Sequence, residues 1–218
     1  MATAIERDEG VIRINAAGVM LEGNLIVPEG ATGIVLFAHG SGSSRFSSRN
    51  RYVAEVLRSR RLGTLLIDLL THDEELVDTR TAHLRFDIEL LADRLVGTTE
   101  WLNAEQAGQK IGLFGASTGG GAALVAAARV PDRIQAVVSR GGRPDLAGAA
   151  LPKVKAPTLL IIGGDDVPVI GMNREAYDQM NCVKKMEIVP GASHLFEEPG
   201  TLEKVASLAG DWFVKYLK

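Results

Sequence analysis

The chain has 218 residues, a formal net charge of −3, and 46% apolar against 23% charged residues. That mixture excludes a disordered chain and leaves length enough to bury a core, within one domain spanning 1–218. With no basic tract beyond 58–61 and no run of about 18 apolar residues, neither nucleic acid nor a membrane is expected as partner.

Apolar runs of strand length alternate with helical patterns along the whole chain. Segments 11–14 and 20–27 read as a starting hairpin turning at Ala17 and Gly18. Segment 33–38 is short and continuously apolar, as a strand buried on both faces requires. A helix over 50–61 places Val53, Val56 and Leu57 on one side. A strand at 65–67 follows, then one long amphipathic helix over 81–103 carrying Leu84, Ile88, Leu91 and Leu95. Next come strands at 111–114, 134–139, 158–162 and 185–189. Helices at 122–129, 171–180 and 202–217 complete the pattern. Such alternation predicts a three-layer α/β fold: a mostly parallel, twisted sheet with helices on both faces and no large inserted cap domain. In sheets of that kind the chemistry gathers in the loops at the strands' carboxyl ends.

One such loop holds Gly115-Ala-Ser117-Thr-Gly119, between an apolar run and an alanine-rich helix. A G-x-S-x-G at a strand-to-helix turn is a nucleophile elbow, with glycines where a Cβ would strike backbone and a serine at the tip. In a chain of this glycine content the pattern alone arises by chance about a few tenths of the time. Its weight comes from company. Gly163-Gly-Asp-Asp166 follows one later strand and Pro190-Gly-Ala-Ser-His194 follows the last, giving the order serine, acid, histidine. A serine hydroxyl needs an imidazole to take its proton, and the imidazole needs a carboxylate to fix its tautomer.

The loop His39-Gly-Ser-Gly42 leaves the strand at 33–38, two parallel strands before the elbow. The backbone N–H groups of Ser41 and Thr118 are the expected oxyanion donors. The rival reading, a phosphate loop, fails on position: a dinucleotide fingerprint needs glycine where Arg45 stands and an acid near Arg60.

Together these motifs resemble the α/β-hydrolase superfamily, and their compact layout is most similar to its cap-less, dienelactone hydrolase-like group. The resemblance implies an eight-stranded sheet with a crossed first pair, a Ser-His-Asp triad, no cofactor, and hydrolysis of an ester or related bond. It also implies a departure, since dienelactone hydrolases use a cysteine nucleophile where this chain has Ser117. The family's spacing around the acid favours Asp166 over Asp165. The expected enzyme is thus a cytoplasmic serine hydrolase for a small ester, thioester or lactone, acting as a monomer or homodimer. An acyltransferase, a C–C bond hydrolase and a non-catalytic ligand-binding protein are the alternatives on the same scaffold.

The remaining candidates are polar loops. Arg45 and Arg49 lie in one mouth loop, Arg140 and Arg143 in another. They either recognise an anionic group on the substrate, or are solvated and paired with Asp73, Glu74 and Asp145. The stretch 1–10 is charged, lacks the apolar core of a secretion signal, and so points to the cytoplasm. Cys182, the single cysteine, reads as structural, as does His83 at the start of a helix. His72 and Asp73 lack the spacing of a metal site, and no metal is expected.

Overall fold

In the computed structural model, residues 10–16 and 18–218 are described. The predicted hairpin turn at Ala17 falls outside them. Gly18 falls within, at φ +83°.

The described residues form one eight-stranded sheet. Its strands are β1 (Val11–Ala16), β2 (Val19–Ile26), β3 (Gly33–Ala38), β4 (Gly63–Ile67), β5 (Lys110–Ala116), β6 (Ile134–Arg140), β7 (Thr158–Gly163) and β8 (Lys184–Val189). Their spatial order is β1-β2-β4-β3-β5-β6-β7-β8. β1 and β2 pair antiparallel, β2 pairs antiparallel with β4, and every pair from β4 to β8 is parallel. The expected crossing is present: β4 leaves the centre and β3 returns to it, beside β5. Ala38 then stands opposite Gly115, so the ends of β3 and β5 open into one place.

β3 shows how an unbroken apolar run serves two cores. Its residues alternate between faces: Ile34, Leu36 and Ala38 join one apolar cluster, Val35 and Phe37 the other. α1 (Ser48–Ser59) and α6 (Thr201–Tyr216) cover the second cluster, through Val53, Leu57 and Phe213 among others. α3 (Ile88–Glu105), α4 (Thr118–Arg129) and α5 (Val167–Gln179) cover the first. Phe37 and Phe114 stack across β3 and β5 with ring centroids 4.9 Å apart.

The helix expected over 81–103 is two helices. α2 (His72–Thr81) occupies much of what read as a loop, and α3 begins only at Ile88. Between them Ala82 takes a left-handed conformation, φ 53°, which ends α2. The buried Asp78 carboxylate then accepts the N–H groups of Leu84 and Arg85, turning the chain through a short 3-10 helix, Leu84–Phe86. His83 stands at the start of that turn. The signal for α2 was a capping box, with the Thr71 hydroxyl accepting from Glu74 N–H and the Glu74 carboxylate accepting from Thr71 N–H. The lack of an amphipathic face hid it, because Asp78 is the only buried residue in α2.

Candidate active site

Ser117 sits at the junction of β5 and α4 with φ 49° and ψ −122°. A non-glycine residue held there costs about 1–3 kcal/mol, and it stays because the packing around it allows nothing else. A Cβ on Gly115 would lie 2.4 Å from the Gly119 carbonyl oxygen, and one on Gly119 2.4 Å from that of Ala38. The elbow is also clamped through its backbone. Ser117 N–H donates to the Arg140 carbonyl (3.3 Å), and Arg143 N–H donates to the Ser117 carbonyl (3.0 Å).

The acid and the imidazole meet. His194 Nδ1–H donates to Asp166 Oδ2 at 2.6 Å, with Asp166 at 13% side-chain exposure. That bond places the proton on Nδ1 and leaves Nε2 free to act as a base. Neighbouring Asp165 is exposed and its backbone N–H donates to the Ala192 carbonyl. The two loops can approach so closely because Gly163 lies under the second one: a Cβ there would be 2.3 Å from the Ala192 oxygen. His194 and Ser117 share the Arg140–Gly141 turn as neighbour, a Cβ on Gly141 falling 3.6 Å from His194 Cε1. No hydrogen bond among the described residues joins Ser117 to His194. Such contacts commonly tighten only when substrate is bound.

The loop after β3 is built differently. Its buried His39 accepts the Leu69 N–H on Nε2 (3.1 Å) and donates from Nδ1 to the Gly40 carbonyl (2.9 Å). Burial pulls the His39 pKa below the ordinary imidazole value, against the opposing effects of the Gly40 bond, Asp68 and Glu75. Sequence reasoning gave His39 no such anchoring role. Ser41 N–H points at Thr118 but is taken: it donates to the Thr118 hydroxyl at 3.0 Å. Thr118 N–H lies in the first turn of α4, where backbone donors have no intrahelical acceptor. A shallow pocket with a cavity volume of only about 10 Å³ lies beside the loop, lined by Gly40, Ser41, Leu70, Leu91 and Thr118 among others.

The mouth arginines divide. Arg45 spends its guanidinium on Asp68 and on Glu22 (2.8 Å), and Arg143 grips Asp145 with two bonds, 2.9 and 2.7 Å. Both are committed to structural ion pairs. Glu74, expected as a mouth partner, instead holds Arg94 of α3 at 2.7 Å. Arg140 is 7% exposed and has no carboxylate partner among the described residues. Burial first, then the nearby Arg49 charge, pull its pKa down to about 10.

This topology, with a strained serine at the β5–α4 elbow and an acid–imidazole pair at the ends of β7 and β8, defines an α/β-hydrolase architecture. The profile of the dienelactone hydrolase family matches residues 72–215, and the chain belongs to that family of hydrolases. It is 64% identical to the dienelactone hydrolase of Anabaena variabilis ATCC 29413, with a TM-score of 0.95, covering 97% of this chain and 99% of that one. A Xanthomonas campestris α/β serine hydrolase without lid shares the fold at 17% identity, TM-score 0.76, over 98% and 97% of the two chains. A Mycobacterium tuberculosis protein named "Putative phosphoribosyl transferase" is 56% identical over 213 residues, 97% of this chain but 47% of its own length. The chain thus spans about half of that curated relative. No helix among the described residues is long and apolar enough to cross a membrane.

Proposed function

We propose that the chain is a serine hydrolase for a small ester, thioester or lactone, working through an acyl-enzyme. The observation that carries this reading is the 2.6 Å Asp166–His194 bond beside the strained Ser117 elbow. Ser117 Oγ attacks the carbonyl carbon as His194 Nε2 takes its proton, and Asp166 stabilises the resulting imidazolium. The tetrahedral oxyanion takes Thr118 N–H directly. It takes Ser41 N–H in exchange for the Thr118 hydroxyl. His194 returns the proton to the leaving alcohol or thiol, and water then cleaves the acyl-enzyme by the same steps. The exposed Phe46, Val167 and Leu195, which follow β3, β7 and β8 in the chain, suit a small substrate with an apolar part.

A fluorophosphonate probe should label Ser117 in the folded wild-type protein and leave Ser117→Ala unlabelled, as read by mass spectrometry. Absence of label from folded wild type would favour the non-catalytic alternative. An acyltransferase or C–C bond hydrolase would label equally, and product analysis separates those from an esterase.

A further inference from the structure

The alternation along β6 directs Val137 and Ser139 toward α4, and Val138 and Arg140 toward α1 and α6. The last of these puts a guanidinium inside the molecule. Among the described residues, Arg140 Nη2 reaches only the Asn50 side-chain oxygen, at 3.5 Å, while Nε and Nη1 are buried with no hydrogen-bond partner. Arg49, in the first turn of α1, brings a second positive charge near enough to repel it. Arg49 Nη1 donates to the exposed Glu197 at 3.0 Å, and its Nε is likewise buried and unpartnered.

A buried guanidinium with a second positive charge near it carries a desolvation penalty that proteins ordinarily relieve with a paired anion. Elsewhere in this molecule that relief is internal: Arg45, Arg85, Arg94, Arg129 and Arg143 each meet a carboxylate. Arg140 meets none. The α1 N-terminus beside it adds a field that favours negative charge. The location ties the pair to the reaction centre. The Arg140 carbonyl accepts Ser117 N–H, Gly141 packs on His194, and Glu197 lies three residues beyond that histidine.

We propose that Arg140 and Arg49 form an anion subsite behind His194 that takes one compact oxyanion, a carboxylate or a phosphate, carried by the substrate. The attribution to substrate rests on the hydrolase reading; the binding of the anion does not. Fork-shaped guanidinium donors suit either anion, and Arg140 Nε and Nη1 are the unspent pair.

Inorganic phosphate and acetate, each at constant ionic strength against chloride, are titrated into the wild-type protein by calorimetry. At least one binds saturably, about 10-fold or more weakly in Arg140→Gln and in Arg49→Gln. Its affinity is unchanged in Arg129→Gln, where the charge lies on the α3–α4 surface. The tighter of the two anions assigns the group. Circular dichroism checks each fold, and the partly exposed Arg49→Gln carries the test if Arg140→Gln does not fold. In a kinetic arm, kcat/KM for the p-nitrophenyl monoester of succinate is divided by that for p-nitrophenyl acetate. Arg49→Gln lowers this ratio about 10-fold if the group is a carboxylate. Failure of both anions to saturate wild type, or binding that survives both substitutions, overturns the subsite. Anion binding with the stated dependence but no ester cleavage keeps the subsite and sinks the hydrolase reading.

Discussion

The two halves of the candidate site stand in different states of readiness. The acid–base half, from the loops after β7 and β8, is assembled: Asp166 already holds His194 at 2.6 Å, and Gly163 lets the two loops close on each other. The oxyanion half, from the loop after β3 and the start of α4, is satisfied internally, with Ser41 N–H bound to the Thr118 hydroxyl at 3.0 Å. A carboxylate–imidazole pair can be built in advance because its charge balance changes little before the reaction. A backbone donor waiting in a half-buried site is costly to leave unpaired, so the fold gives it a neutral acceptor that a charged oxygen can displace.

The largest break in this comparison comes on the assembled side. Asp166→Asn should lower kcat by about 10⁴-fold, because His194 loses the partner that fixes its tautomer. Asp165→Asn should keep most activity, and steady-state kinetics on one activated ester compares the two. A reversed result would reassign the acid. On the oxyanion side the expected effect is small and of opposite sign. Thr118→Val removes the acceptor that competes for Ser41 N–H and keeps both amides, so kcat/KM should rise by up to about fivefold, one neutral hydrogen bond's worth. A tenfold fall would instead assign the hydroxyl to holding the loop in place.

The smallest effect concerns the anchor of the oxyanion loop. Folded His39 has a lowered pKa, so below about pH 6.5 the unfolded chain binds a proton that the folded one resists. Stability therefore falls as pH drops from that point toward the folded-state pKa, and is fully present above it. Thermal unfolding of His39→Gln between about pH 7 and 5 should show a flatter dependence than wild type, by about 2–4 °C. Parallel curves would remove His39 from the acid response.

Much of this was written locally. The elbow's glycines, the acid–histidine order and the apolar runs are short-range patterns, each dictated by the backbone room or burial of its own segment. The α2 capping box was equally legible in Thr71 and Glu74. It was passed over because α2 buries almost nothing and so has no amphipathic face to read. The helix break at Ala82 had no such signal, since it depends on Asp78 collecting the amides of Leu84 and Arg85.

By itself, then, the sequence determined an α/β alternation and the four loops of the candidate site, because strand burial and tight turns constrain residue type one position at a time. Only the tertiary structure decided that β3 lies against β5, which brings the Ser41 loop to the elbow. Only it could sort the arginines, giving Arg45 and Arg143 their carboxylates and leaving Arg140 buried without one among the described residues. Charge pairing depends on which distant segments meet, and in this fold the crossing of β3 and β4 and the packing of α1 over β6 settle that.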